Sequence, residues 1–280
     1  NSIVTSLVVH KPEIDEWKFR WLVRGDMEPA WWKQNTALDA PTARASTSRM
    51  LAAVGGSATE ELSTGDVKKA FLKGTEYGAG EPQRYTKYRA YKGAPWRVFR
   101  LRKSLYGSAD APMRWYQRLK EWLDTKGFKP SEEDCCLFSN ATTGARLTTH
   151  VDDILLRAEP AVTEKFWHEI NKDLGLKGWG YIRPGQPRRH CGSNWSAEDR
   201  NGARWYSIDQ EADIKEFLMQ EGYHGGRHVA SPMQNNKEMH SDPTLLVGAE
   251  KKKFASLKGS LQWFANQTRW DIAFPVARLG

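Results

Sequence analysis

The chain has 280 residues, of which 39% are hydrophobic and 11% aromatic, and this supply of apolar surface excludes a disordered protein. Lys and Arg outnumber Asp and Glu by 42 to 34, which gives a net charge of +8 and indicates a polyanionic partner. Three cysteines without a CxxC pair exclude a disulfide framework and a zinc module. No apolar run approaches the ~18 residues of a membrane span.

The first predicted elements are a strand and a helix. Residues 13–25 alternate charged and apolar side chains, which is typical of a strand. On its pleat Lys18 and Arg20 share a face and can present two cations to one phosphate chain, whereas a solvated strand face is the alternative. Residues 40–55 predict a helix that ends at a glycine cap.

Carboxylates occur inside two segments that otherwise predict strands. Asp66 interrupts a short apolar segment, where a charge is costly unless it is solvated or bound. In residues 147–156, Asp152 and Asp153 stand between two runs of strand-forming residues, which predicts a tight hairpin with both at its tip. Because adjacent carboxylates repel each other, a bound Mg²⁺ is one explanation and a solvated turn is the other.

A basic and aromatic stretch lies between Pro82 and Ser104, and it contains eight Lys or Arg residues and no Asp or Glu. The candidate phosphate contacts in it are Arg84, Lys87, Arg89, Arg97 and Arg100. Cations beside aromatic rings suit a nucleic-acid backbone and its bases. A solvated strand and loop surface is the alternative.

The rest of the chain predicts helices packed on strands. Asp110 precedes Ala111-Pro112 and fits the N-cap of a helix, and another helix begins near Pro160. A capping box beginning at Ser207 predicts a further helix, and apolar spacing in residues 254–264 predicts a last long one. The pattern is that of an α+β fold with antiparallel strands and a mainly helical C-terminal third.

Asp66, Asp152 and Asp153 can converge on one edge of an antiparallel sheet. Two metal ions held ~3.5–4 Å apart by such a cluster would stabilise the attacking and leaving oxygens of an in-line displacement at phosphorus. Spacing alone leaves the solvated turn open, because carboxylate pairs are common.

The order of these motifs resembles the reverse transcriptases of copia-type LTR retrotransposons, nearly from end to end. The blocks that carry the resemblance are residues 18–25 (KFRWLVRG), 40–49 (APTARASTSR), 66–74 (DVKKAFLKG), 102–115 (RKSLYGSADAPMRW), 150–153 (HVDD) and 259–274 (GSLQWFANQTRWDIAF). Two departures stand out. Ser108-Ala109-Asp110 replaces Leu-Lys-Gln, and His150 replaces the Tyr before Val-Asp-Asp.

The resemblance implies a right-hand polymerase with an antiparallel-sheet palm, fingers and a helical thumb-like C-terminal part. The implied division places the fingers in residues 1–60 and 75–112, the palm in 61–74 and 113–206, and a helical thumb or connection region in 207–280. An intracellular location, in a cytoplasmic particle or the nucleus, and no membrane association are expected. Integrase and ribonuclease H are the expected polyprotein neighbours, outside this chain.

The implied activity is RNA-directed and DNA-directed DNA synthesis, in which dNTPs are added to a primer 3′-hydroxyl on an RNA or DNA template. Asp66, Asp152 and Asp153 would bind two Mg²⁺ ions, with Mn²⁺ as a substitute. The implied nucleotide-binding residues are Lys18, Arg20, Val67, Phe71, Tyr106 and Gly107. The ring of Phe71 would exclude a 2′-hydroxyl, although a core position is the alternative, and Gly192 would lie in the turn that supports the primer end.

Two other functions are compatible with the same residues. The departures at residues 108–110 and at His150 leave open a catalytically decayed remnant that binds nucleic acid without turnover. A metal-dependent nuclease is less favoured, since no His or Lys general base accompanies the carboxylates at a readable spacing.

Overall fold

The structure, a computed structural model, describes residues 3–12, 17–30, 38–54, 59–226, 231–233 and 246–279. The chain divides into two compact units, Asn1–Ile182 and Arg183–Gly280. None of the helices in these ranges combines the length and the apolar character needed to span a bilayer.

The first unit mixes strands and helices, as predicted. Its strands are β1 (Ile3–Pro12), β2 (Trp17–Val23), β3 (Glu61–Val67), β4 (Arg84–Tyr88), β5 (Arg97–Leu101), β6 (Lys129–Pro130), β7 (Leu137–Ser139), β8 (Arg146–His150), β9 (Asp153–Ala158) and β10 (Leu176–Tyr181). Its α-helices are α1 (Ala45–Ala53), α2 (Ala111–Thr125) and α3 (Pro160–Asp173), with 3-10 turns at Gly25–Met27 and Ala70–Lys73.

The strands of this unit form two sheets in the described ranges. One has the order β2-β1-β4-β5, in which β1 runs antiparallel to β2 and parallel to β4. The other has the order β10-β3-β9-β8-β7-β6 and is antiparallel throughout. The predicted antiparallel sheet is therefore present, and its designation as a palm stays a prediction.

Helices α2 and α3 pack against the six-stranded sheet. Trp115 and Leu119 of α2, spaced four residues apart, are completely buried with Trp167 and Ile170 of α3 and with Ile154 of β9. Full burial of a side chain such as Leu119 or Ile170 contributes about 1.5–3 kcal/mol, so this layer accounts for much of the unit's stability.

Gly65 allows α3 to approach β3 closely. A Cβ atom on Gly65 would lie 2.6 Å from the ring of Trp167 and 2.8 Å from the Cβ of Trp179. Trp167 stacks on Trp179 with ring centroids 5.7 Å apart, and its indole donates a 2.9 Å hydrogen bond to Ser63. These contacts fix the strand on which Asp66 lies.

Helix α1 is held at both ends by side chains from elsewhere in the unit. At its N-terminus, the carboxylate of Asp134 accepts hydrogen bonds from the backbone N–H of Arg44 (3.1 Å) and the hydroxyl of Thr47 (2.6 Å). At its C-terminus, Arg157 donates to the carbonyl of Ala52 at 2.8 Å. The predicted helix is confirmed as Ala45–Ala53, whereas its predicted glycine cap at residues 55–56 lies outside the described residues.

The second unit has its own small sheet and several helices. Strands β11 (Arg188–His190), β12 (Ser193–Arg200) and β13 (Ala203–Asp209) are consecutive antiparallel neighbours. The helices are α4 (Glu211–Gln220), α5 (Gly248–Gln267) and α6 (Ala273–Arg278), with a 3-10 turn at Trp270–Ile272. Helix α5 contains the predicted apolar residues 254–264.

One prediction for this unit is wrong in detail. Ser207 does not begin a helix, because residues 203–209 pair with β12 as a strand and the helix begins at Glu211. The chain divides after Ile182, whereas the palm implied by the resemblance extends to residue 206, and that designation stays a prediction. Residues 183–206 fall in the second unit because, among the described strands, β12 pairs with β11 and β13 alone.

Candidate active site

The hairpin predicted around the paired aspartates is present, although Asp152 alone of the pair lies at its tip and Asp153 begins strand β9. Strands β8 and β9 are antiparallel, with His150 opposite Asp153, so Val151 and Asp152 form the tip. On the other side of β9, Asp153 is the register partner of Asp66 near the end of β3. The backbone N–H of Val67 donates a 2.9 Å hydrogen bond to the carbonyl of Asp152. The sheet therefore brings all three sequence-predicted aspartates to one edge.

The hairpin tip has a strained backbone. Val151 has a φ of 58°, in the left-handed region that a β-branched residue rarely adopts. The buried indole of Trp115 holds this conformation, since its N–H donates a 2.7 Å hydrogen bond to the carbonyl of Val151. Trp115 thus fixes the turn that presents Asp152, a role that its helical spacing alone did not reveal.

A lysine from β10 lies between two of the carboxylates. The Nζ of Lys177 is 2.5 Å from Oδ2 of Asp66 and 3.9 Å from Oδ2 of Asp152. Burial by itself would lower the pKa of Lys177, but the hydrogen bond and charge of Asp66 raise it, so the ammonium stays protonated. Sequence analysis missed this residue.

The pKa of Asp152 is raised, first by burial and then by the negative charge of Asp66. Oδ1 of Asp66 is buried and has no hydrogen-bond partner among the described residues. An oxygen left in this state favours a cation, and carboxylate oxygens are the ligands that Mg²⁺ prefers. The residues at this edge therefore fit a divalent ion. In the ranges described, no three acidic, His or Cys side chains already converge as a complete ligand set.

Several predicted nucleotide-binding residues lie together. The rings of Phe71 and Tyr106 meet edge to face with centroids 6.4 Å apart, and the guanidinium of Arg20 lies 5.7 Å from the centroid of Tyr106. Val67 differs, because its side chain is completely buried in the core and is not available to line an open pocket. Lys18 lies on β2, but its side chain is outside the described part of the chain.

Gly107 is required where its turn meets the end of β2. The backbone N–H of Val23 donates a 2.8 Å hydrogen bond to the carbonyl of Tyr106. Gly107 has a φ of 82°, and a Cβ there would lie 2.3 Å from the carbonyl oxygen of Val23. A side chain at Gly25 is excluded by a similar close approach, since a Cβ there would lie 2.0 Å from the carbonyl oxygen of Gly107. These close approaches explain both glycines of the motifs physically.

Asp110 has a different role from the predicted helix cap. It precedes α2, but its carboxylate makes no capping hydrogen bond. It is buried and instead accepts hydrogen bonds from Arg84 (2.6 Å) and from Nε of Arg114 (2.7 Å). The ring of Tyr77 lies against both guanidinium groups, 4.5 and 4.2 Å from their carbons, and Arg114 also pairs with Glu81. Asp110, the acid that stands where the family motif has glutamine, is therefore neutralised by ion pairs inside the protein.

The basic stretch forms the β4–β5 hairpin. The residues predicted to contact phosphates lie on different faces of this hairpin. Arg100 lies opposite Tyr85, and Lys87 lies opposite Val98, so Lys87 and Arg100 share one face. Arg97 is exposed on the other face, and Arg89 follows the end of β4. Arg84, predicted to bind nucleic acid, is buried and bonded to Asp110, so that prediction is wrong.

Two cations of the hairpin, Lys87 and Arg89, contact an aromatic ring, as the sequence suggested. The ammonium of Lys87 and the guanidinium of Arg89 lie 5.0 and 4.7 Å from the centroid of Trp96. In the second unit, Gly192 lies in the turn between β11 and β12 with a φ of 73°, and a Cβ there would lie 2.9 Å from the ring of Trp263. No contact in the structure tests its predicted role at the primer end.

Carboxylates at the ends of adjacent antiparallel strands are one arrangement that can hold metal ions for phosphoryl transfer. The family of reverse transcriptases (RNA-dependent DNA polymerases) matches residues 8–184, more than half of the sequence, and the chain belongs to it. The resemblance to copia-type elements drawn from the motifs is confirmed by the curated relatives.

Two of these relatives come from plants. The retrovirus-related Pol polyprotein from transposon RE2 of Arabidopsis thaliana is 28% identical over 221 residues, which cover 76% of this chain and 14% of that protein. The corresponding polyprotein from transposon TNT 1-94 of Nicotiana tabacum is 25% identical over 248 residues, or 84% and 18% of the two chains. The chain thus spans less than a fifth of the length of either relative.

Among solved structures, a telomerase from Candida albicans in complex with a TWJ fragment of telomeric RNA matches 69% of this chain and 45% of its own at 9% identity. The TM-score is 0.37, and at this value the similarity carries no argument about the present fold.

Proposed function

We propose that this chain carries the nucleotidyl-transfer site of a retrotransposon DNA polymerase that copies RNA and DNA templates. The observation that carries the proposal is the register of Asp66 against Asp153, with Asp152 at the adjoining hairpin tip. The orphaned buried oxygen of Asp66, at the sheet edge that also carries Asp152 and Asp153, supports the proposal that these carboxylates would bind divalent cations. Family membership supplies the reaction class.

In this proposal Asp66, Asp152 and Asp153 hold two Mg²⁺ ions, with Mn²⁺ as a substitute. The bound ions would supply Lewis-acid stabilisation of the charge that develops at phosphorus. Substrate phosphates and water complete the ligand set, because Mg²⁺ usually takes only one or two carboxylates from a protein. The protein's own contribution is positioning, since Trp115 and the pairing of β3 with β9 fix where the carboxylates lie.

The incoming dNTP would lie beside Tyr106 and Gly107, with Arg20 and Lys18 facing its triphosphate. Phe71 packs against Tyr106, so its ring can close the space beside the sugar C2′ and exclude a ribose hydroxyl. The primed template would contact the face of the β4–β5 hairpin that carries Lys87 and Arg100. Burial of Asp110 in an ion-pair network keeps its charge from the triphosphate and supports an active site.

Primer extension with purified protein tests this function. Wild-type protein should add dNTPs to a primed RNA template in Mg²⁺, and Asp66→Asn and Asp152→Asn should each abolish extension while the protein stays folded. Asp124→Asn is the control, since Asp124 pairs on the surface with Lys129. Template binding by wild-type protein without extension would instead identify a non-catalytic remnant, and shortening of the substrate would identify a nuclease.

A further inference from the structure

Lys177 reaches the carboxylates through an irregularity in the sheet. Strand β10 pairs with β3 through Leu176 opposite Val67 and through Gly178 opposite Asp66, so the register shifts between Leu176 and Gly178. Lys177 is the residue at this shift. Such β-bulges occur beside active sites, where the extra residue re-aims a side chain. Here the side chain turns towards Asp66 and reaches Oδ2 at 2.5 Å.

The ammonium occupies the position that suits a metal ion. It touches Asp66 and lies 3.9 Å from Asp152, which are two of the three carboxylates proposed as ligands. Lys177 is about half exposed, and its long flexible stem gives it an exit to solvent. A cation tethered in this way neutralises the carboxylates in the metal-free protein, yet repels a divalent ion that approaches the same oxygens.

We propose that Lys177 is a positioning residue that holds Asp66 and Asp152 together before metal binding and is displaced when a divalent cation enters. This inference rests on the proposed function, since it requires the carboxylates to bind metal. Its consequence is that the lysine sets the concentration of divalent cation at which the site fills. Removing the charge should therefore tighten metal binding while leaving the metal-free protein with two unneutralised carboxylates.

The test is a titration of the protein with Mn²⁺ in the absence of nucleotide, followed by electron paramagnetic resonance of the free ion. Lys177→Met should bind Mn²⁺ about three- to tenfold more tightly than wild type, as expected for loss of one nearby, partly screened charge. Lys177→Arg keeps the charge and should stay close to wild type. Lys129→Met is the matched control, because it removes a lysine that pairs with a single exposed carboxylate, Asp124.

Two further measurements separate a competing cation from a merely structural contact. In EDTA, Lys177→Met should unfold at a lower temperature than wild type, and added Mn²⁺ should raise its midpoint by more. In primer extension, the Mg²⁺ concentration for half-maximal rate should fall by the same factor as the Mn²⁺ dissociation constant. A structural contact would lower stability without moving either metal concentration.

Unchanged or weaker Mn²⁺ binding by Lys177→Met would overturn the inference and leave the proposed polymerase site intact. The proposed function fails differently. If wild-type protein binds no Mn²⁺, or Asp66→Asn binds it as wild type does, the carboxylates are not a metal site and both proposals fall.

Discussion

Arg84 donates a 2.6 Å hydrogen bond to Asp110, and both side chains are almost completely buried. This pair joins strand β4 to the start of α2, and Arg114, one helical turn further along, binds the same carboxylate. The acid at position 110 therefore belongs to the framework of the unit. Asp110, which departs from the Leu-Lys-Gln motif that this segment resembles, thus takes part in an internal ion-pair network.

Removing the Asp110 carboxylate should destabilise the protein strongly. Asp110→Ala leaves two buried guanidinium groups without their shared partner, which costs about 3–5 kcal/mol of unfolding free energy. Urea unfolding should show a large fall in the midpoint with an unchanged slope. Asp124→Ala, which removes an exposed ion pair, should cost less than about 1 kcal/mol. Equal effects of the two substitutions would contradict the network.

The attachment of α1 by Asp134 should depend on pH. Burial would raise the pKa of Asp134, but hydrogen bonds from Thr47 and from the N–H groups of Arg44 and Cys136 together lower it. A lowered folded-state pKa contributes stability that is present above the unfolded value and is lost as the pH falls below about 4. Because the carboxylate is partly exposed, this contribution is at most about 1 kcal/mol.

Asp134→Asn should therefore be slightly less stable than wild type at pH 7, and the difference should shrink as the pH falls below about 4 and the wild-type carboxylate becomes protonated. Urea unfolding across this range measures the difference. The neighbouring Glu133 is exposed and supplies the control, since Glu133→Gln should follow the wild-type curve at every pH. An Asp134→Asn curve parallel to wild type would show that the capping contact does not depend on charge.

The position of Phe71 predicts the enzyme's choice of sugar. If Phe71 closes the space beside the nucleotide C2′, as proposed, Phe71→Val should lower the ratio of dNTP to rNTP incorporation by about tenfold or more, even if the overall rate drops. Phe71→Tyr keeps the ring and should keep the selectivity. Single-nucleotide incorporation with each substrate gives the ratio directly. If Phe71→Val retains wild-type selectivity, Phe71 is a core residue alone.

Local patterns predicted where the three aspartates lie better than they predicted the residues that hold them in place. The hairpin around Asp152 and the strand around Asp66 followed from alternation and turn chemistry within a few residues. By contrast, the buried state of Arg84 depends on Asp110, which is distant in sequence, and no local pattern reports that pairing. Lys177 was missed for a similar reason, because its direction is set by a register shift between β10 and β3.

The error at Ser207 has a physical cause of the same kind. Ser207 and the residues after it satisfy the capping pattern of a helix, but pairing with β12 gives the same backbone groups a strand partner. Tertiary pairing thus overrides a weak local preference. The division between the two units after Ile182 was not predicted either, because residues 175–206 are rich in Gly, Trp and Arg and show no clear hydrophobic periodicity.

The last prediction concerns template binding by the face of the β4–β5 hairpin that carries Lys87 and Arg100. If both contact phosphates, affinity for a primed template should fall with salt on a log–log slope of roughly −0.7 to −0.9 per contact. The double variant Lys87→Gln/Arg100→Gln should lower the magnitude of that slope by about two units. All template sequences should weaken alike, because phosphate contacts do not read bases.

Loss of any two positive charges weakens binding to a polyanion to some degree, so the slope needs a matched control. Lys165 and Lys172 are exposed on α3 in the same unit, and Lys165→Gln/Lys172→Gln removes the same net charge away from the hairpin. This control should keep the wild-type slope within about half a unit. Fluorescence anisotropy between 50 and 200 mM salt, roughly the range over which phosphate contacts dominate, provides the measurement. Equal slopes for the two double variants would mean that the hairpin acts only through net charge, and the template path would then lie on another surface.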